Sequence, residues 1–205
     1  MSLGKLFIPV LAITLGVVCA YYAYIGYHAE NTIELRPRIN SAVKLGGPFT
    51  LVDDNGEGVT EETFADRDML LFFGFTSCPS ICPAELQKMA ETLNLIGDYN
   101  DKIYPVFVTV DPERDTPSVI KAYLDMFHPD IIGLTGTEKQ IEKMETDFKV
   151  YSLKVDDPSF GDYTMDHSAY IYLYNVHDGL INMYKSEDSP AYIAADLVDY
   201  YKKTE

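Results

Sequence analysis

A chain of 205 residues is long enough for one globular domain with a full core and an appendage. Its 32 acidic and 16 basic residues give a formal charge of -16, which disfavours nucleic acid as a partner and leaves no basic patch for anionic lipid headgroups. Three cysteines exclude a disulfide-stapled miniprotein and leave one close pair, Cys78 and Cys82.

Leu6 to Tyr27 holds no residue charged at neutral pH. At ~1.5 Å per residue it spans roughly 33 Å as a helix, about the hydrocarbon thickness of a bilayer. Tyr21, Tyr22, Tyr24 and Tyr27 gather at its far end as an interfacial aromatic belt. Residues 1–28 therefore read as a single retained membrane anchor. A cleaved signal peptide ending at Val18-Cys19-Ala20 is the rival, and the apolar run exceeds a usual signal core. Charge leaves the orientation open, because Lys5 and the amino terminus stand against Arg36, Arg38 and Lys44. Cys19 reads as a thiol within lipid. Residues 29–45 mix charges with Pro37, lack apolar periodicity and read as a tether, with the folded domain over 46–205.

The domain opens with an N-terminal hairpin: Phe49 to Val52 as a strand, Asp54-Asn55-Gly56 as its turn and Gly58 to Thr60 as the return. Thr60 or Glu61 caps a brief helix through Ala65. Met69 to Phe75, apolar except for Gly74, suits a central strand buried on both faces. Pro79 and Pro83 bracket a tight loop, with Pro83 expected at the first helical position. Leu86, Met89, Ala90, Leu93 and Ile96 form the stripe of the amphipathic helix that follows. Ile103 to Val110 is a second buried strand in which Pro105 predicts an irregularity. Thr116 caps, and Pro117 opens, a helix to about Phe127, Ile131 to Leu134 is a short strand, and Thr137 caps a helix over Glu138 to Phe148. Val150 to Val155 is a further strand, and the acidic stretch Asp156 to Asp166 reads as a loop. A hairpin of 168–174 and 180–185 follows, with Pro190 to Lys202 as the closing helix. Strands alternating with helices and ending in an antiparallel hairpin predict an α/β domain, a thioredoxin-like mixed sheet flanked by helices.

Cys78 and Cys82 fall where a buried strand hands over to a helix, a place that stabilises the thiolate, the form that binds metal or attacks disulfides. Two thiols at this spacing share a helical face if the helix starts early enough, and together could grip one ion. Soft thiolates favour Cu(I) or Zn, and either needs a further donor. Of the histidines, His28 reads as an interfacial residue, His128 as a helix-end cap and His177 as a turn residue. His167 stands at the end of the acidic loop and directly before a buried strand, from which a ligand can reach a preformed pair. Asp166 beside it either orients the imidazole or caps the strand. Asp111 and Arg114 read as a loop cap and local ion pair, and Met89 and Met144 as core.

Four motifs, F-G-F-T-S-C-P-S-I-C-P-A-E-L-Q-K-M, V-D-P-E-R-D-T, G-L-T-G-T and Y-T-M-D-H-S, occur in an order and spacing that closely resemble the SCO/SenC family of membrane-anchored copper proteins needed for cytochrome c oxidase assembly. The resemblance runs from about Gly46 to the C-terminus. It implies a thioredoxin-like fold and one copper, as Cu(I) or also as Cu(II), held by Cys78, Cys82 and His167. It further implies a copper chaperone that matures the dinuclear copper centre of oxidase subunit II, by handing over copper, reducing that subunit's cysteines, or both. The implied partners are subunit II, an upstream copper donor and the membrane. The implied location is a single-pass inner-membrane protein whose domain faces the periplasm or the mitochondrial intermembrane space. The chemistry of the residues agrees: Cu(I) tolerates three-coordination, and closing the dithiol to a disulfide would block loading. Two other classes remain: a membrane-anchored thiol-disulfide oxidoreductase using Cys78 and Cys82 without metal, and a redox or copper sensor. A thiol peroxidase is weaker still.

Overall fold

The computed structural model describes residues 16–21, 33–38, 45–160 and 162–204. Its contacts divide the chain into two units, Met1–Arg36 and Pro37–Glu205. In the first, residues 16–21 are helical and expose Cys19. Most of the expected anchor, and His28, lie outside the described residues. Among those described, no helix is long and apolar enough to cross a membrane.

The second unit is built on β3, Asp68–Gly74, every residue of which is buried. Its apolar run has no solvent face because both edges and both faces are covered, and each large side chain so buried contributes roughly 1.5–3 kcal/mol. β4 (Ile103–Thr109) pairs with it in parallel, and β8 (Ile171–Asn175) in antiparallel fashion. With β1 (Thr50–Asp53), β2 (Gly58–Thr60), β5 (Ile132–Thr135) and β9 (Gly179–Tyr184) they make a seven-stranded mixed sheet, ordered β2-β1-β5-β4-β3-β8-β9. Helices α1 (Ile81–Ile96) and α2 (Pro117–Leu124) make the crossovers from β3 to β4 and from β4 to β5. Helix α3 (Glu138–Phe148) contacts β1, and α4 (Pro190–Thr204) packs on α1. This is the predicted thioredoxin-like arrangement, with the N-terminal hairpin as β1 and β2.

Local signals placed several ends correctly. Thr137 caps α3 in a capping box with Gln140, and Thr60 does the same for a short 3-10 turn with Thr63. Pro117 opens α2, which ends at Leu124 and continues to Phe127 only as a turn. Three expectations are corrected. Pro83 is not the first residue of α1 but sits two positions further on. The first i to i−4 bond is donated by Ala84 to Ser80 at 3.3 Å, so Pro83 still displaces none. Pro105 causes no irregularity: its pairing with Leu70 is in unbroken register. The ladder to β5 begins only at Val106, so beside Pro105 one edge of β4 has no bond to lose.

The third correction concerns the acidic stretch. The strand expected over Val150 to Val155 is β6 (Ser152–Asp157), and the stretch after it is not a loop but the turn, with the 3-10 segment Pro158–Phe160, and return strand β7 (Asp162–His167) of a separate two-stranded sheet. Asp162 and Asp166 lie on one face of it and Asp156, opposite Tyr163, on the other; all three are exposed, so the charge that suggested a loop is solvated on a ladder.

Candidate metal centre

The site begins where β3 ends. Beyond Gly74, Phe75 is buried and its carbonyl accepts the N–H of Cys78 at 3.3 Å, turning the chain toward α1. Cys78 therefore lies before the helix and Cys82 is its second residue, so the two do not share a helical face as the spacing suggested. They are brought together by capping: the Cys82 N–H donates to Cys78 Sγ at 3.4 Å, while Ser80, the formal N-cap, makes no side-chain cap bond. The sulfur takes the capping role and gains the helix N-terminal field. Cys82 is wholly buried. Its sulfur has room only because residue 74 is glycine: a Cβ there would stand 2.9 Å from Cys82 Sγ and 2.9 Å from the Phe72 ring.

His167, the last residue of β7, places Nε2 3.3 Å from Cys82 Sγ. Its Nδ1 lies 3.1 Å from the Ser168 carbonyl. A carbonyl only accepts, so Nδ1 carries the proton and Nε2 presents its lone pair to the thiols. The rings of Phe72 and Phe75 meet the imidazole at 6.2 and 5.7 Å between centroids and shield it. The ligand atoms of Cys78, Cys82 and His167 all lie within 4.8 Å of one another, the one such group among the described residues. Asp166 is exposed, and the orienting partner of the imidazole is the Ser168 carbonyl. His128 lies beyond the C-cap of α2, Asp125, and accepts the N–H of Asp130 instead of capping the helix, whereas His177 sits in the β8–β9 turn with its N–H on Asn175, the turn role its position suggested.

Both cysteines are free thiols. The hydrogen bond from the Cys82 thiol, reinforced by the N–H groups of Cys82 and Ser80, outweighs burial and holds Cys78 down to about 4. The same bond, with burial, pushes Cys82 far up, so it keeps its proton. That single proton has two acceptors beside it, the Cys78 sulfur and His167 Nε2.

Two supports were not legible in the sequence. Asp115, wholly buried, accepts the N–H of Thr76 at 3.0 Å, the Thr76 hydroxyl at 2.6 Å and the Thr109 hydroxyl at 2.6 Å. It ties the start of the cysteine loop to the end of β4. Arg114 forms the expected ion pair with Asp111 and also donates to the Tyr163 carbonyl at 2.9 Å. Tyr163 donates its hydroxyl to Asp111 at 2.8 Å, and its ring lies 3.8 Å from the Arg114 guanidinium and 3.7 Å from the Lys154 ammonium. This clasp fastens β7, and with it His167, to the loop after β4. The motif V-D-P-E-R-D-T was the only signal for either support.

The SCO1/SenC family profile matches residues 37–202, and the chain belongs to that family. A SCO2-like protein of Rickettsia felis is 43% identical over 152 residues, covering 72% of this chain and 73% of that protein. Among solved structures, Bradyrhizobium japonicum ScoI with copper bound is 42% identical with a TM-score of 0.70, over 76% of this chain and 99% of that one. Yeast Sco1 with copper bound is 36% identical with a TM-score of 0.71, over 78% and 90% of the two chains.

Proposed function

We propose that this protein is a copper chaperone for cytochrome c oxidase, holding one copper ion as cargo through Cys78, Cys82 and His167 and passing it to the dinuclear copper centre of subunit II. The observation that carries the reading is the convergence of two sulfurs and one lone-pair nitrogen within 4.8 Å. Family membership and similarity to two copper-bound Sco structures support it. The donor set fits the cargo: two thiolates and one imidazole suit soft, three-coordinate Cu(I), whereas a structural zinc site would call for a fourth ligand. Loading exchanges the Cys82 proton for the ion, with Cys78 already ionised and Nε2 already bare. Release to a receiving pair of thiolates is eased because one of the three donors stands on the outlying hairpin.

In this reading residues 1–28 anchor the protein in the inner membrane, 29–45 form the tether, and 46–205 work in the periplasm or the mitochondrial intermembrane space. An upstream donor supplies the copper. Cells lacking the protein should make subunit II without its dinuclear centre, restored by the wild-type gene and not by Cys78→Ala. A complete centre in the deletion strain would sink the proposal.

The ionised Cys78 favours a second reading, reduction of the subunit II cysteines. Cys78 attacks one sulfur of the partner disulfide, and the other leaves as a thiolate that takes up the Cys82 proton. The Cys82 thiolate then attacks Cys78 Sγ, closes the Cys78–Cys82 disulfide and frees the partner reduced, with one thiol and one thiolate that takes its proton from water. Cys82→Ser should trap the mixed disulfide; its absence with an oxidised subunit II peptide would remove this reading.

A further inference from the structure

Helix α1 carries a buried carboxylate that the copper reading does not use. Glu85, one turn beyond Cys82, is 2% exposed. Both its oxygens accept from the Lys88 ammonium at 2.9 Å, and the Lys88 side chain is itself only 10% exposed. An ammonium has three protons, and the third goes to the Ser186 carbonyl, 2.8 Å away in the segment after β9. Burying such a pair gains little stability over an apolar pair, but its three bonds tie α1 to the segment after β9.

What it positions is the backbone beside His167. Ser186 donates its hydroxyl to the Ala169 carbonyl at 3.1 Å. Ala169 follows the Ser168 carbonyl that fixes the His167 tautomer. From the other side, Ser168 donates its N–H to the Tyr151 carbonyl at 2.9 Å and accepts the Tyr151 N–H on its hydroxyl at 3.1 Å. Segment 167–169 is thus held between β6 and a strut that starts one helical turn from Cys82.

We propose that Lys88, through Ser186, is a positioning residue for the metal centre: it references the His167 imidazole to the helix that bears Cys82, and so sets how tightly the third donor grips the ion. The proposal rests on the copper reading and goes beyond it, because Lys88 touches none of the three ligands. Loss of a group that orients a metal ligand typically weakens metal binding by about 10–100-fold, and a loss at the low end of that range is expected here.

The test uses the reduced full chain, titrated with Cu(I) against a competing chelator. Lys88→Met removes the ammonium, and the milder Ser186→Ala removes one exposed hydroxyl, so that folding is not at stake; each is made with His167 intact and in a His167→Ala background. Both should weaken copper binding when His167 is present, by about 10-fold for Lys88→Met, and have no further effect when it is absent. Lys88→Arg, which keeps a donor to both partners, should recover much of the loss. Nitrogen-15 spectra of metal-free His167 should show a fixed Nδ1–H tautomer in the wild type and mixed tautomers in Lys88→Met. Equal losses in both backgrounds, or no loss in either, would overturn the proposal. If His167→Ala alone leaves copper binding unchanged, the copper reading fails, and a tautomer that does not respond to Lys88 would overturn the positioning role as well. A tautomer that still responds to Lys88 in that case would place the failure in the copper reading and leave the strut intact.

Discussion

The two halves of the candidate metal centre are held in different ways. Cys78 and Cys82 stand at the junction of the fully buried β3 and the first turn of α1, where core packing and a helix cap fix them. His167 ends a two-stranded hairpin outside the main sheet, held by the Arg114–Tyr163–Asp111 clasp and by polar bonds around Ser168 and Ala169. The thiols are therefore a rigid grip and the imidazole a donor on an outlying element. A protein that must both hold and release an ion benefits from that division.

Breaking the rigid half should have the largest effect. Gly74→Ala forces a methyl group against Cys82 Sγ and the Phe72 and Phe107 rings, the last at 3.0 Å. Overpacking of this kind costs about 1–3 kcal/mol, read by denaturant unfolding, and it should lower copper affinity as the sulfur moves. Breaking the hairpin half should cost less. Tyr163→Phe removes the bond to Asp111, a loss of about 0.5–1.5 kcal/mol, and hydrogen exchange should quicken in β6 and β7 while β3 is unchanged. Uniform quickening would show that the hairpin is not a separate unit.

The electrostatics of the thiol pair sharpen the same contrast. Cys78 is depressed to about 4 from an ordinary value of 9.0. The folded form is thus ionised where the unfolded form holds a proton, and stability of the reduced, metal-free protein should rise with pH between about 4 and 9 on this account. The contribution is complete above the ordinary thiol value and lost as pH falls through about 4. Alkylation of Cys78 should follow the same titration, and Cys82→Ala, which removes the main donor, should move its midpoint upward; an unmoved midpoint would remove Cys82 from that role. The smallest effect is expected of Lys154→Ala, which takes an exposed cation from the Tyr163 ring and should cost about 0.5–1 kcal/mol in unfolding experiments.

How far each half could be read from the sequence follows the same division. β3, the helix stripe of α1 and the helix starts at Thr116–Pro117 and Thr137 are local patterns, and local patterns were legible. Of the hairpin only the first strand was legible, as Val150 to Val155; charges at Asp156, Asp162 and Asp166 hide the alternation of β7, and contacts to Arg114, far away in sequence, hold it down. Its reading as a loop put His167 in the right neighbourhood on the wrong kind of element. Asp115 was missed because an acid is buried only where tertiary partners, here Thr76 and Thr109, satisfy it. Asp166 was singled out by adjacency, yet alternation along β7 turns neighbours to opposite faces, and the backbone of Ser168 does the orienting.

The most direct test of the three-donor centre is the copper content of the reduced protein after Cu(I) loading, compared between wild type and His167→Ala. One copper per chain in the wild type, held much more weakly by the mutant while Cys78 and Cys82 stay reduced, is the expected result. Equal binding by the two proteins would contradict the account, because the imidazole would then have no part in holding the ion.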